Sequence, residues 1–186
     1  MATLSFPRPP LVDEVVALRP WRRADIPQKF AGLSDPLCLR FSWASTERFT
    51  EVHVRRKLEV QERERLEGKG INFAVVDVAA REHVLGGAEL YDVDGSRSCA
   101  AVGYWLAPHA RGRGVATRVV RLLARWGFER LALARLELTC GPDNTASQRV
   151  AERCGFTREG LLRSHLPFRG GRRDTVMYGL LPGELS

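Results

Sequence analysis

Residues 104–117 read Tyr-Trp-Leu-Ala-Pro-His-Ala-Arg-Gly-Arg-Gly-Val-Ala-Thr. The pattern predicts a strand, a short turn and a glycine-rich entry into a long helix. Glycines at 112 and 114 remove side chains where backbone N–H groups must face a ligand. The helix start adds N–H groups that have no acceptor within the helix, together with the positive end of its dipole. Such a socket holds a phosphate or pyrophosphate without any charged side chain, so the run predicts a phosphorylated cofactor. Taken alone, the same residues also describe a plain helix start with convenient glycines.

Working outward, a β-like segment at 100–106 leads into this run, and a helix at 115–131 follows it. Val115, Val119, Leu122, Leu123 and Trp126 recur at three- and four-residue spacing and give that helix one apolar stripe. Gly127 lies within it, where close packing or a bend is expected. Upstream, residues 15–19 read as a first strand, and Asp25 as the cap of a short helix through Phe30. Residues 37–45 read as an irregular polar-aromatic link, and the charge-dense 46–67 as a helix with a solvated face. Segments 72–78 and 84–91 are β-like, and Asp92-Val-Asp-Gly-Ser96 is a hairpin signal. Downstream come a strand at 135–139, a short helix at 144–154 closed by Gly155, and strands near 161–168 and 175–181.

The implied order is β-α-α-β-β-β-α-β-α-β-β: an α/β protein with a mixed sheet of about seven strands flanked by helices. Residues 1–14 read as a loose lead-in and 15–186 as a single domain, within the size one core can serve. No stretch is long and apolar enough to span a bilayer. The four cysteines are scattered, with neither metal-ligand nor disulfide spacing; no metal is expected, and reduced thiols of a cytoplasmic protein are. The net charge of +7 rests almost wholly on arginine. It suits an anionic partner, or equally an arginine-preferring genome, since the residues form no single block. Nothing has the interleaving of a nucleic-acid reading surface, so no DNA partner is expected.

With Arg111, Gly114 and Ala116 in a Gln/Arg-x-x-Gly-x-Gly/Ala pattern, the chain resembles the GCN5-related N-acetyltransferase (GNAT) superfamily. Gly-Tyr-Trp-Leu at 103–106, Pro-Asp-Asn-Thr-Ala-Ser at 142–147, Cys-Gly-Phe-Thr-Arg-Glu-Gly at 154–160 and Arg-Asp-Thr-Val-Met-Tyr at 173–178 extend the likeness to its RimJ/RimL-like branch. The resemblance implies an acyl-CoA N-acyltransferase fold that uses acetyl-CoA as co-substrate, bound where the fourth and fifth strands splay. It puts the backbone at Trp105 and Leu106 on the pantetheine arm. Arg111, Gly112, Arg113, Gly114, Val115, Ala116 and Thr117 then fall on the pyrophosphate, with Asn144 on the cofactor. Ser147 would stand near the sulfur as proton donor, since the position one helical turn on, where relatives carry Tyr, is Ala151. Asn144 also reads as a helix cap.

Relatives often carry a Glu base at positions that are Ala101 and Thr139 here. Glu89 and His165 remain as candidate bases, and both stay open. The acceptor is expected between the 37–45 link and the 166–173 turn, where Arg40, Arg169, Arg172 and Arg173 suggest an acidic substrate. Deprotonating an α-amine near pH 7.4 costs only ~0.4–0.8 kcal/mol, against ~4 kcal/mol for a lysine, which favours a peptide N-terminus or a weakly basic small amine. Direct attack in a ternary complex is expected, without a covalent enzyme intermediate. Succinyl or another acyl donor, a non-catalytic acyl-CoA-binding regulator, and an RNA-surface binder remain alternatives. A homodimer is equally open.

Overall fold

In the computed structural model, which describes residues 3–186, side-chain alternation along the first long strands feeds two apolar layers. Along β2 (Val16–Arg19) and β3 (Ile71–Asp77), Val16, Leu18, Phe73 and Val75 enter the larger core. Ala17, Ala74 and Val76 enter a smaller one that is closed by Trp21 and Trp105. A strand repeats every two residues, so burial on both sides means that both sheet faces are covered. The apolar stripe of α4 (Val115–Arg130) fills the larger core: Val115, Val119, Leu123 and Trp126 are buried, and Leu122 packs at its margin. Gly127 lets α4 approach closely; a Cβ there would meet Leu133 at 3.1 Å.

The remaining strands are β1 (Leu11–Val12), β4 (Val84–Asp94), β5 (Cys99–Leu106), β6 (Arg135–Cys140), β7 (Thr157–Phe168) and β8 (Gly171–Leu180). They form one eight-stranded mixed sheet in the order β1-β2-β3-β4-β5-β6-β8-β7. The hairpin signal at 92–96 joins β4 to β5, which pair antiparallel. Only β5 and β6 run parallel, and their pairing covers just Cys99↔Arg135 to Ala101↔Glu137. Beyond Ala101 the two strands separate, and the turn into α4 begins at the mouth of that wedge. This is the splay that the family resemblance implies.

Three details differ from the expectations. First, β1 is an additional strand, two residues long, paired with β2 in the sheet and with Leu11 packed on the larger core. Ahead of it the lead-in is docked: Leu4 and Phe6 pack on the core, and the Leu4 N–H donates to the Arg65 carbonyl at 3.0 Å. Second, the irregular link contains a helix, α2 (Pro36–Ser42). The Asp35 carboxylate caps it by accepting from the Leu37 and Cys38 N–H groups, and proline takes the first helical position. Third, α1 (Ile26–Leu33) receives no side-chain cap from Asp25. That carboxylate is held instead by Arg19 in a buried two-point ion pair of 2.6 and 2.8 Å, and by the Arg22 N–H. The pair keeps Asp25 ionised: burial raises its pKa, but the Arg19 hydrogen bond and the Arg22 N–H outweigh this and leave it below the ordinary value.

The charge-dense helix is α3 (Glu51–Leu66), shorter at its start than expected. The preceding residues form an aromatic cluster instead, with Phe49 packed on Phe30 and edge-on to Trp43. The last helix is α5 (Thr145–Arg153).

Candidate active site

The loop ahead of α4 is shaped by two left-handed glycines, Gly112 at φ +72° and Gly114 at φ +74°. A Cβ at either would meet nothing within 4 Å, so backbone conformation rather than space requires glycine there. Gly114 is the N-cap of α4 and offers no side-chain acceptor to the first turn. The N–H groups at the start of α4 therefore remain available to an outside anion. They border a cleft of about 390 Å³ lined by Trp105, Leu106, Ala116, Thr117, Asn144 and Ser147. Gly112, Gly114 and Val115 also line it, whereas Arg113 is exposed.

Arg111 borders the same cleft, but its guanidinium is spent inside the protein. It donates to Asp35 at 2.5 Å and to the Leu106 carbonyl at 3.0 Å, tying the loop to the start of α2. The Leu106 carbonyl is thereby taken.

At the far wall of the cleft, Asn144 caps α5 by accepting the Ser147 N–H at 3.2 Å. The Ser147 hydroxyl accepts from the Tyr104 phenol at 3.1 Å. Burial pushes Tyr104 up to about 12, so it remains a donor at any physiological pH. Because Ser147 Oγ accepts from Tyr104, its own O–H is left to point at something else, and the Cys140 thiol lies within hydrogen-bonding reach. Burial raises Cys140 and keeps it a thiol. Ala151 is fully buried, and the phenol beside Ser147 is that of Tyr104 on β5. Tyr104 was not among the expected site residues, although it stands in the aromatic pair just before the glycine run.

Across β5 lies a second cavity of about 440 Å³ between the sheet and helices α1 to α3. Tyr104 and Trp105 wall both cavities. The Trp105 indole stacks on Trp21 at 6.3 Å and lies so close to β4 that a Cβ on Gly87 would meet it at 2.4 Å. Glu89, half-buried, projects into this pocket. One of its oxygens, Oε2, accepts from Gln61 Nε2 and from Asn72 Nδ2, both at 2.8 Å. Gln61 accepts in turn from Lys29 Nζ at 3.3 Å, and Asn72 from the Trp21 indole N–H at 2.5 Å. Lys29 sits 4.2 Å above the Trp21 ring, so that Lys29, Gln61, Asn72 and Trp21 close a ring with the carboxylate. The solvated-face reading of α3 therefore holds only for its outer side. His53, Lys57 and Gln61, four residues apart, turn inward to line the pocket.

His165 takes no part. Its Nδ1 hydrogen-bonds the Thr175 hydroxyl at 2.7 Å, and it lines neither cavity. It stands on the edge strand β7, with β8 and β6 between it and β5. At about 4.8 Å per strand this is too far for proton transfer. The four arginines near the expected acceptor site also line neither cavity. Arg169 donates to the Leu39 carbonyl, which also accepts the Trp43 N–H, and Arg173 to the Phe41 carbonyl, both in the last turn of α2. Arg40 pairs with Asp143, and Arg172 donates to the carbonyls of Ser164 and His165. The turn at 166–173 thus buttresses α2, and Arg173 lines a small crevice of about 110 Å³ that it shares with Tyr104, Asn144 and Ser147. Among the described residues no cluster of metal-ligating side chains occurs, and no helix is long and apolar enough to cross a membrane.

A family model described as "Acetyltransferase (GNAT) domain" matches residues 16–157. "Probable N-acetyltransferase YjcK" of Bacillus subtilis (strain 168) is 29% identical over 143 residues, covering 76% of this chain and 79% of its own. The structure of Mycobacterium smegmatis RimJ in complex with CoA-disulfide superposes with a TM-score of 0.81 at 26% identity, over 91% of this chain and 83% of that one. RimL, a ribosomal L7/L12 alpha-N-protein acetyltransferase seen in complex with coenzyme A, shares the fold at 21% identity, with a TM-score of 0.79 over 91% of this chain and 96% of that one. The wedge between β5 and β6, the glycine turn into α4 and these matches agree: the chain belongs to the GNAT acetyltransferase family, among its RimJ- and RimL-like members.

Proposed function

We propose that the protein transfers the acetyl group of acetyl-CoA to a primary amine, a peptide α-amine or a small molecule, by direct attack with both substrates bound. The observation that carries this reading is the shared wall. Tyr104 and Trp105 face the cleft on one side and the carboxylate pocket on the other, so a donor and an acceptor placed in the two cavities meet at β5. The cleft fits the donor's chemistry. Free N–H groups at the loop and the start of α4 suit a diphosphate, and the β5 edge that β6 leaves unpaired suits the amides of a pantetheine arm. RimJ, with its bound CoA-disulfide, supports this assignment.

In the pocket, Glu89 takes the first proton from the acceptor's ammonium group. Its Oε2 already accepts two N–H bonds, so Oε1 is the oxygen left for this proton. The neutral amine attacks the thioester carbonyl carbon, and the C–S bond breaks as the amide forms. The second N–H proton of the adduct passes to the departing sulfur through the Ser147 hydroxyl, whose oxygen Tyr104 holds at the cleft wall. Four buried free cysteines supply no nucleophile to this scheme; burial raises the thiols of Cys38, Cys140 and Cys154. A single carboxylate inside an otherwise basic and aromatic pocket favours an α-amine or another weakly basic amine over lysine.

Mass spectrometry of products from a peptide and small-amine panel with acetyl- and succinyl-CoA tests the proposal. Acetylated amines formed by the wild type and lost in Glu89→Gln support it. No product from any amine, or a succinyl preference, overturns it.

A further inference from the structure

Arginine supplies nearly all the positive charge of this chain; of its 29 Lys and Arg residues only three are lysine. Two of those three, Lys29 and Lys57, line the acceptor pocket. Lys29 is 2% exposed, and among the described residues its side chain donates to the amide of Gln61, whose other end holds Glu89. Arginine cannot lose its proton under physiological conditions, whereas a buried lysine can. The exception to the arginine habit thus falls where a cation that can be switched off would matter.

We propose that Lys29 is a positioning residue that acts through Glu89: as an ammonium it is the carboxylate's internal counter-ion, and as a neutral amine it leaves the carboxylate to the acceptor. The inference rests on the preceding assignment of Glu89 as base. Burial pulls Lys29 down to about 7. Glu89 on β4 and Asp25 before α1 oppose this, Lys57 on α3 adds to it, and the amides of Gln61 and Asn72 are neutral. A charged Lys29 competes with the acceptor's ammonium for the carboxylate and repels a cationic acceptor. A neutral Lys29 does neither, while Gln61 and Asn72 hold the carboxylate in place. The sign follows: acetyl transfer is favoured above the lysine's pKa and weakened as pH falls through it.

The experiment uses a peptide α-amine as acceptor with acetyl-CoA, and the acceptor's own titration, measured free in solution, is divided out of the profile so that only protein groups remain. For the wild type, kcat/KM rises with pH about a midpoint near 7. Lys29→Met abolishes that limb, and Lys29→Arg, which keeps the cation, stays about tenfold below wild type at alkaline pH. Acetyl-CoA affinity is unchanged in both. A limb with the same midpoint in Lys29→Met overturns the inference even where Glu89→Gln is inactive. A second readout does not need turnover. With ¹³Cε-labelled lysine the chain gives three signals, one assigned by its loss in Lys29→Met. A midpoint near 7 that falls further in Glu89→Gln supports the coupling. A midpoint above about 9, or one indifferent to Glu89→Gln, overturns it. Equal activity of Glu89→Gln and wild type would instead overturn the assignment of the base.

Discussion

The two cavities that meet at β5 are built by opposite means. The cleft is a backbone construction: two left-handed glycines, a helix start without a cap, and a strand edge left free where β5 and β6 part. Most of its lining comes from residues 104–117 and 144–147, with α2 and the rest of α5 completing it. The pocket is a side-chain construction in which Lys29, His53, Gln61, Asn72 and Glu89 arrive from α1, α3, β3 and β4. A backbone site tolerates change in most side chains but not in conformation. A side-chain site shows the reverse, and mutation separates the two.

The largest effect belongs to the pocket. Glu89→Gln keeps the shape and the hydrogen-bonding size but removes the base; kcat should fall by about 10²–10⁴-fold with acetyl-CoA affinity intact, as steady-state kinetics and calorimetry would show. The cleft should respond the other way. Gly114→Val forces a β-branched residue into the left-handed region at about 1–3 kcal/mol, which should weaken acetyl-CoA binding by one to two orders of magnitude. Weakened acceptor binding with normal acetyl-CoA binding in that variant would break the contrast. At the shared wall, Tyr104→Phe removes one hydrogen bond worth about 0.5–1.5 kcal/mol and should slow kcat about two- to tenfold, with Ser147→Ala slower still. Smallest for activity is Arg169→Ala. Melting should show a loss of about 1 kcal/mol from the unsupported end of α2, while acceptor KM stays put. A rise in KM there would return the acceptor to the arginine-rich turn.

How much could be read from the sequence follows the same division. The helix stripe from Val115 to Trp126, the hairpin at 92–96 and the turn at Gly112 and Gly114 are local, so periodicity and dihedral demands were enough. The two-residue β1 depends on its partner strand and on the seating of Leu11 against the core, and α2 carried its cap in Asp35-Pro36 within a stretch too short for periodicity to register. Arg111 matched a motif, yet the structure spends its charge on Asp35. His165 suited proton transfer by its intrinsic pKa, but the interposed β6 and β8 remove it, which only sheet order reveals. Glu89 was legible as a candidate. Its ring of partners was not, because Lys29, Gln61 and Asn72 lie far from it in the chain; the four-residue spacing of His53, Lys57 and Gln61 was the available hint.

A crystal structure of the protein soaked with acetyl-CoA tests the two-cavity arrangement most directly. The diphosphate should lie within hydrogen-bonding distance of the main-chain N–H groups between Gly112 and Thr117, and the thioester beside Tyr104 and Ser147, with the Glu89 pocket left open to the acceptor. Density for the donor in the Glu89 pocket, or a diphosphate held away from that loop, would contradict it.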